Sequence, residues 1–412
     1  MPRKIIYWVF SALVVVACTK QVPDSSDVVS ARQQPKPVKI GELLSYAASP
    51  TWAHLTKKGW QLAVEQFNAA GGVLGQPVEV ISRDAKGGSG KAATVMLDLI
   101  EREQVDFVVG GMFSHVALEI SQVAERENIL LMVIWAGSSK LLWENGHDHV
   151  FRIQPPSYFY GRMFAEAARE LPAKRWVTIA PNFEAGHAFT ADFKSALTEM
   201  RPDVEWVGEY WPTLGKIDAG PTVQAIKNDK PDAIFGCLAG PDLNAFIREG
   251  RLRGLFDDID VVDCFAGLPE NWSSLGEELP SGWITVGFPI EGDISPELKN
   301  FSDQFQTRWN ERPGLGSWFG YLAMNSLLQA IETAGSKDRE AVRAVLRSQS
   351  FRTPIGNMGF RSIDQQSSVG LWLGRTATTN GQPAFVDAEY KSGDQYYPSD
   401  EHIQKLRNVE GE

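Results

Sequence analysis

A chain of 412 residues that sets 51 Asp and Glu against 40 Lys and Arg carries a formal charge of −11. That acidity, with no basic cluster, argues against nucleic acid as a partner. The length exceeds what one core ordinarily supports, so two domains are expected.

Arg3 and Lys4 precede an apolar run from Ile5 to Ala17, the charged start and short apolar core of a secretory signal over residues 1–17. The run is too short for a permanent transmembrane helix, and nothing after Ala17 is long and apolar enough for one. It ends in VVAC, which resembles the bacterial lipobox, where a small residue precedes a cysteine that is lipidated. Cys18 is then the lipidation site, and the alternative is a plain signal cut nearby. Loss of Arg3 and Lys4 with the leader takes the formal charge from −11 to −13. Residues 18–37, rich in Ser, Pro, Gln and Asp, read as the lipidated cysteine and a flexible tether. Of the other cysteines, Cys237 and Cys264 both end strand-like runs. They can pair in an oxidising compartment or stay as two buried thiols.

From Val38 onward strands and helices alternate. KIGELLSYA reads as a strand. TWAHLTKKGWQLAVEQFNAA reads as a helix with Leu55, Gly59, Leu62, Ala63 and Phe67 on one face, stopped by Gly71 and Gly72. VEVISRD, VDFVVGG and ILLMVIW read as strands, separated by the helices KAATVMLDLIERE and HVALEISQVAEREN. Pro155 and Pro156 then interrupt VFRIQPPSYFYGR, a candidate crossover. A second series follows: strands WVTIAP, VEWVGEY, DAIFGCL and IDVVDC, with helices near 188–200, 222–227 and 242–251. Short, β-branched, almost wholly apolar strands are those of a parallel sheet covered on both faces. Two doubly wound α/β units result. Helices are expected near 297–309, 321–334 and 339–347, and then a hairpin of GLWLGRTA and PAFVDAEY around Asn380-Gly381.

Gly90-Lys91 is no phosphate loop. The first glycine of that motif is Ala85 here and the magnesium-binding hydroxyl is Ala92. Gly71, Gly72 and Gly75 stop a helix and turn the chain into a strand.

The ordered set LAVEQFNAAGGVLGQPVEVISRD, VDFVVGGMFSHVALEISQVAERENILLMV, FRIQPPSYFYG, PNFEAGHAFTADFKSAL, KPDAIFGCLAGPDLNAFIREGRLRGL and SWFGYLAMNSLLQAIETAGS resembles the type I periplasmic solute-binding proteins of ABC importers, in their branched-chain amino-acid (leucine-binding-like) branch. The resemblance spans about Val38 to Asp387. It implies two doubly wound parallel-sheet lobes joined by a three-crossover hinge that close on a small molecule, an amino acid, amide or carboxylate. It also implies no enzyme activity and no cofactor, with an ABC permease and ATPase as partners and a periplasmic or cell-surface location through the lipid anchor. The first lobe is expected over 38–154 with 288–353, the second over 155–287 with 354–398, and 399–412 forms a C-terminal tail.

Carried over by position, the family pattern places Trp52 at the first helix, Ser114 after the third strand and Trp135-Ala136-Gly137-Ser138 after the fourth, a donor set for a carboxylate. Ser114 also reads as a helix N-cap, and Trp52 and Trp135 also read as core. The second lobe departs from the pattern. Ala185 and Ala239 stand where aromatic rings are usual, and Phe265 lies near the position of the glutamate that meets an amino-acid ammonium. An ammonium without a carboxylate partner is costly to bury, so an α-amino acid needs Asp263, Glu184 or Asp242 as substitute. Otherwise Phe183, Phe265, Trp52 and Trp135 line a pocket for an aromatic or apolar carboxylate, an amide, or a quaternary ammonium.

His147 and His149 lack a third ligand at metal spacing, and His54, His115 and His187 fall near expected cleft loops. A ligand-sensing co-receptor of the same fold is the alternative to transport. An exported α/β enzyme ranks below both, since nucleophile, metal and phosphate motifs are all missing.

Overall fold

The structure, a computed structural model, describes residues 1–2, 36–87, 90–272, 275–289 and 294–408. The expected leader, Cys18 and nearly all of the tether lie outside the described residues. In chain order the first elements are β1 (Val38–Leu44), α1 (Pro50–Ala69), β2 (Val78–Asp84), α2 (Lys91–Glu101), β3 (Phe107–Gly110), α3 (Ser114–Arg126), β4 (Leu131–Val133) and β5 (Val150–Arg152). Next come α4 (Ser157–Ala168), β6 (Arg175–Ile179), α5 (Glu184–Met200), β7 (Glu205–Tyr210), α6 (Ala219–Asp229), β8 (Ala233–Gly236), α7 (Gly240–Leu252), β9 (Asp260–Gly267), α8 (Pro269–Trp272) and β10 (Ile284–Gly287). The last third holds α9 (Pro296–Trp309), α10 (Leu315–Ala334), α11 (Arg339–Ser348), the strands β11 (Ser350–Thr353), β12 (Gly356–Gly359), β13 (Leu371–Thr379) and β14 (Gln382–Lys391), and α12 (Asp400–Asn408).

The first sheet runs β2-β1-β3-β4-β5, all parallel. The second runs β14-β13-β10-β9-β8-β6-β7. Its strands β6 to β10 are parallel, and the hairpin β13–β14 adds antiparallel at one edge. Both parallel parts reverse direction after their first strand, so each lobe has a switch point at the carboxyl ends of its strands, where ligands of such sheets bind. The apolar strands have the expected cause. Along β1, Ile40 and Leu44 enter one core cluster with Trp60 and Ala63, while Leu43 enters another with Met96 and Leu99.

The long helix α10 lies along α1 at a distance that only glycine allows. A Cβ on Gly59 would stand 1.9 Å from the Ser317 carbonyl oxygen, and one on Gly320 would stand 2.2 Å from that of Thr56. The expected helix at 321–334 begins earlier, at Leu315, because the Ser317 hydroxyl accepts from the Gly314 amide at 2.9 Å and caps a glycine-rich stretch that reads as loop. Likewise VFRIQPPSYFYGR is not all crossover. Pro156 is the N-cap of α4, which keeps the aromatic run Ser157–Ala168 helical.

Residues 152–154 and 365–367 run side by side at the hinge. Arg152 bridges to Gln366, Ser367 N donates to Arg152 O at 3.0 Å, and Ser367 Oγ donates to Ile153 O at 2.6 Å. The hairpin β11–β12 straddles residue 353, where the first lobe was expected to end, and it packs on α10 and α11. The expected tail is the helix α12, which returns from the second sheet's side. Ile403 is fully buried with Leu141, Leu142 and Trp143, and Arg407 Nη2 donates to Leu142 O at 2.8 Å. Among the described residues no helix is long and apolar enough to cross a membrane.

Candidate functional site

The strand ends of the first sheet carry the polar face of the cleft. After β3, Gly110 and Gly111 take φ of +148° and +72°, which turns the chain into α3. Ser114 opens that helix with its hydroxyl turned away from it. The N-cap is Phe113, with no side-chain cap, so the N-cap reading of Ser114 is corrected. Its Oγ instead accepts from the Ser138 amide at 3.1 Å and is buried. After β4, Ala136 takes the left-handed φ of +70°, which turns the Trp135–Ser138 loop into the cleft. Among the described residues, the amides of Ala136 and Gly137 donate to no protein atom. A Cβ on Gly137 would meet the Phe189 ring at 2.5 Å, so this position also needs glycine.

Arg152, at the end of β5, holds that loop from behind. Its fully buried guanidinium donates to Ala136 O at 2.9 Å, Ser138 O at 2.6 Å and Gln366 Oε1 at 2.7 Å. Burial lowers its pKa to about 10, which still leaves it charged at neutral pH. The donor loop is thus tied to the hinge by one side chain. An arginine inside the short run VFRI gives no sequence sign of this role, since arginine is normally exposed.

The second sheet supplies Phe183 and Phe265, and the first lobe supplies Trp52 and Trp135. Trp52, in the first turn of α1, meets Trp135 edge-on at 5.2 Å between ring centroids and Phe265 at 5.7 Å. Trp135 rests on Phe319 at 5.1 Å and donates its Nε1–H to Thr56 Oγ1 at 2.9 Å. Phe183, just before α5, meets Phe113 at 6.1 Å and His115 at 6.2 Å. Trp52, Trp135 and Phe265 are therefore brought together, and so are Ser114 and Ser138, whereas Phe183 stands apart from those three rings, against Phe113 and His115. Ala185 lies in the first turn of α5, and Ala239 is the N-cap of α7, both half-buried.

Polar contacts also join the lobes. Glu184 Oε1 accepts from Ser138 Oγ at 2.9 Å and pairs with Lys140 Nζ at 3.3 Å. Glu270, fully enclosed, accepts from Gly316 N at 2.8 Å at the start of α10, and burial raises its pKa. Neither Lys140 nor Glu270 stands out in the sequence, because each is a single charge in a loop or short helix.

Of the three acids able to meet an ammonium, two are occupied within the second lobe. Asp263 Oδ1 accepts from Phe265 N at 2.8 Å and Ala266 N at 2.7 Å, and burial pushes its pKa to about 7. Asp242 accepts from Gly215 N at 2.6 Å and Ile217 N at 3.2 Å. Only Glu184 of the three bridges the cleft. His147 and His149 lie ring against ring at 5.5 Å, while His115 and His187 make separate contacts. His147 bonds Ser121, His149 bonds Asn128, His187 bonds Asn182, and His115 lies on the Gly87 carbonyl. Among the described residues no group of His, Cys, Asp and Glu is arranged to hold a metal.

The family model described as "Periplasmic binding protein" matches residues 37–382. A leucine-, isoleucine-, valine-, threonine- and alanine-binding protein of Pseudomonas aeruginosa is 25% identical over 315 residues, 75% of this chain and 81% of that one. An ABC-transporter solute-binding protein of Rhodopseudomonas palustris, solved with 3,4-dihydroxy benzoic acid, superposes with a TM-score of 0.77 at 18% identity, covering 87% of this chain and 98% of that one. A branched-chain amino acid transporter substrate-binding protein of Streptococcus pneumoniae, solved with isoleucine, gives a TM-score of 0.76 at 22% identity, covering 87% and 100%. The chain belongs to the periplasmic binding protein family, as a two-lobed extracytoplasmic solute-binding protein of its branched-chain amino-acid group.

Proposed function

We propose that this protein captures an aromatic or apolar carboxylate outside the cytoplasm and hands it to an ABC importer, held at the membrane by lipid on Cys18. The observation that carries the ligand class is the mismatch between the two cleft faces. The first offers the Ser114 hydroxyl and the open amides of Ala136 and Gly137, suited to a carboxylate, while Ser138 Oγ already donates to Glu184. The second offers rings, while Asp263 and Asp242 are spent on backbone amides. Burying an ammonium against such a face is unfavourable. Glu184 supports a second reading, an amino acid whose ammonium displaces Lys140 from that carboxylate.

A thermal-shift screen of purified residues 21–412 against aromatic acids, amides, quaternary amines and amino acids tests this. A ligand at one hundred times its Kd adds about 2.7 kcal/mol of stability. The expected hits are aromatic acids, with binding retained in Glu184→Gln. Hits confined to amino acids, lost in Glu184→Gln, would move the assignment to the second reading. The anchor is tested separately, since Cys18→Ser should release the exported protein from membranes.

A further inference from the structure

We infer that Cys237 and Cys264 are joined by a disulfide in the exported protein, a staple between neighbouring strands under the second face of the cleft. The parallel register of β8 and β9 runs from Ala233↔Asp260 to Gly236↔Asp263, so the two cysteines occupy the next rung. Adjacent strands lie about 4.8 Å apart, inside the roughly 4.4–6.8 Å Cα separation that a disulfide spans. The two sulfurs stand 2.8 Å apart, closer than the roughly 3.5–4.0 Å at which non-bonded heavy atoms sit best. Both residues are buried, at 4% and 0% exposure. The structure holds both as thiols, with Cys237 Sγ directed at Cys264 Sγ and the sulfurs farther apart than the roughly 2.05 Å of an S–S bond, a gap that small side-chain rotations close on oxidation.

The chemistry needs an oxidant, and the extracytoplasmic setting of the family provides for one: a protein disulfide that exchanges with thiols. One cysteine thiolate attacks a sulfur of the oxidant's disulfide and releases the other sulfur as a thiolate. The second cysteine then attacks the mixed disulfide, forming the Cys237–Cys264 bond. The oxidant leaves as a dithiol, carrying the two electrons and two protons the cysteines lost. In the finished fold burial raises both thiol pKa values and closes off access. The exchange therefore belongs to folding, when the strands first pair.

The placement gives the bond a role in the site. Cys264 is followed by Phe265, and Cys237 by Leu238 and Ala239, the N-cap of α7. The staple fixes the ends of the two strands that carry the second face. It also closes a chain segment between positions 27 residues apart, which restricts the unfolded ensemble.

The test uses the full chain exported through its own leader. The protein is unfolded without reductant in the presence of N-ethylmaleimide, digested, and the peptides bearing Cys237 and Cys264 are weighed. The expected result is one linked species, lighter than the two peptides by two hydrogens and free of adduct, which splits on reduction into two peptides that each take one adduct. Adducts on both peptides before reduction would overturn the inference. The readout involves no ligand, so its failure leaves the solute assignment untouched, and failure of the ligand screen leaves the disulfide untouched.

Discussion

The two faces of the cleft are built from equivalent strand ends of two similarly wound sheets, yet they do opposite things with their polar groups. The first face leaves two loop amides open beside the buried Ser114 and Ser138, held by an arginine behind the loop. The second turns its acids inward, with Asp263 and Asp242 capping backbone amides of their own lobe, and sets Phe265 and Phe183 against rings of the first lobe. The same topology therefore presents open backbone amides on one side and aromatic rings on the other, the contrast on which the proposed carboxylate reading rests. What separates them is which way a few side chains face, and that is not a property of the fold.

The largest effect that would break this contrast is at Arg152. Arg152→Met leaves Ala136 O, Ser138 O and Gln366 Oε1 without a donor in a buried setting, which costs about 3 kcal/mol or more. Denaturant unfolding should register that loss, and calorimetric titration should find the screened ligand bound at least about 100-fold more weakly. Near-native affinity would show that the loop holds its shape without the arginine. At the next level, Phe265→Ala should weaken an aromatic acid about tenfold or more by removing a ring that contacts Trp52 at 5.7 Å. A small aliphatic acid should be affected less. Equal losses for both would mean that Phe265 packs the lobe without meeting the solute.

Ser114→Ala should weaken binding about tenfold, the worth of one charge-assisted hydrogen bond. Unchanged affinity would remove Ser114 from the first face. The smallest effect is on pH dependence. Burial raises the Asp263 pKa from 3.8 to about 7 in the folded protein. Between those values the folded state holds a proton that the unfolded chain gives up, so the contribution of this group is fully present below about pH 4 and is lost as pH rises through about 7. The melting temperature should therefore fall between pH 5 and pH 7.5, and Asp263→Asn should flatten that slope. Glu42, buried under α1 and also pushed to about 7, adds a slope of the same sign that Asp263→Asn leaves in place. An identical slope in wild type and variant would show that Asp263 is ionised at neutral pH in the fold.

Most of the architecture was legible in the sequence. The apolar runs from Val38 to Cys264 mark parallel strands because both of their faces are covered, and Asn380-Gly381 marks the hairpin because its turn favours positive φ, +52° and +72° here. The start of α10 was hidden, because GLGS reads as loop until Ser317 is seen to cap Gly314. β10 and the hairpin β11–β12 were hidden by brevity, at four residues each. In the site, Trp52, Ser114 and the 135–138 loop were singled out by the family resemblance, and the structure sets each of them beyond a strand end. The partners from behind were not legible. Arg152, Lys140 and Glu270 act through contacts made only after distant segments meet, and periodicity carries no trace of such contacts.

The docking of α12 bears on how far the lobes can travel. The chain leaves β14 on the second sheet and reaches across to seat Ile403 beside Leu141 to Trp143, immediately downstream of the donor loop. That segment is a leash with a fixed length. On the reading that the halves open, a wide swing would either unseat the helix or pull on the turn that carries Ser138.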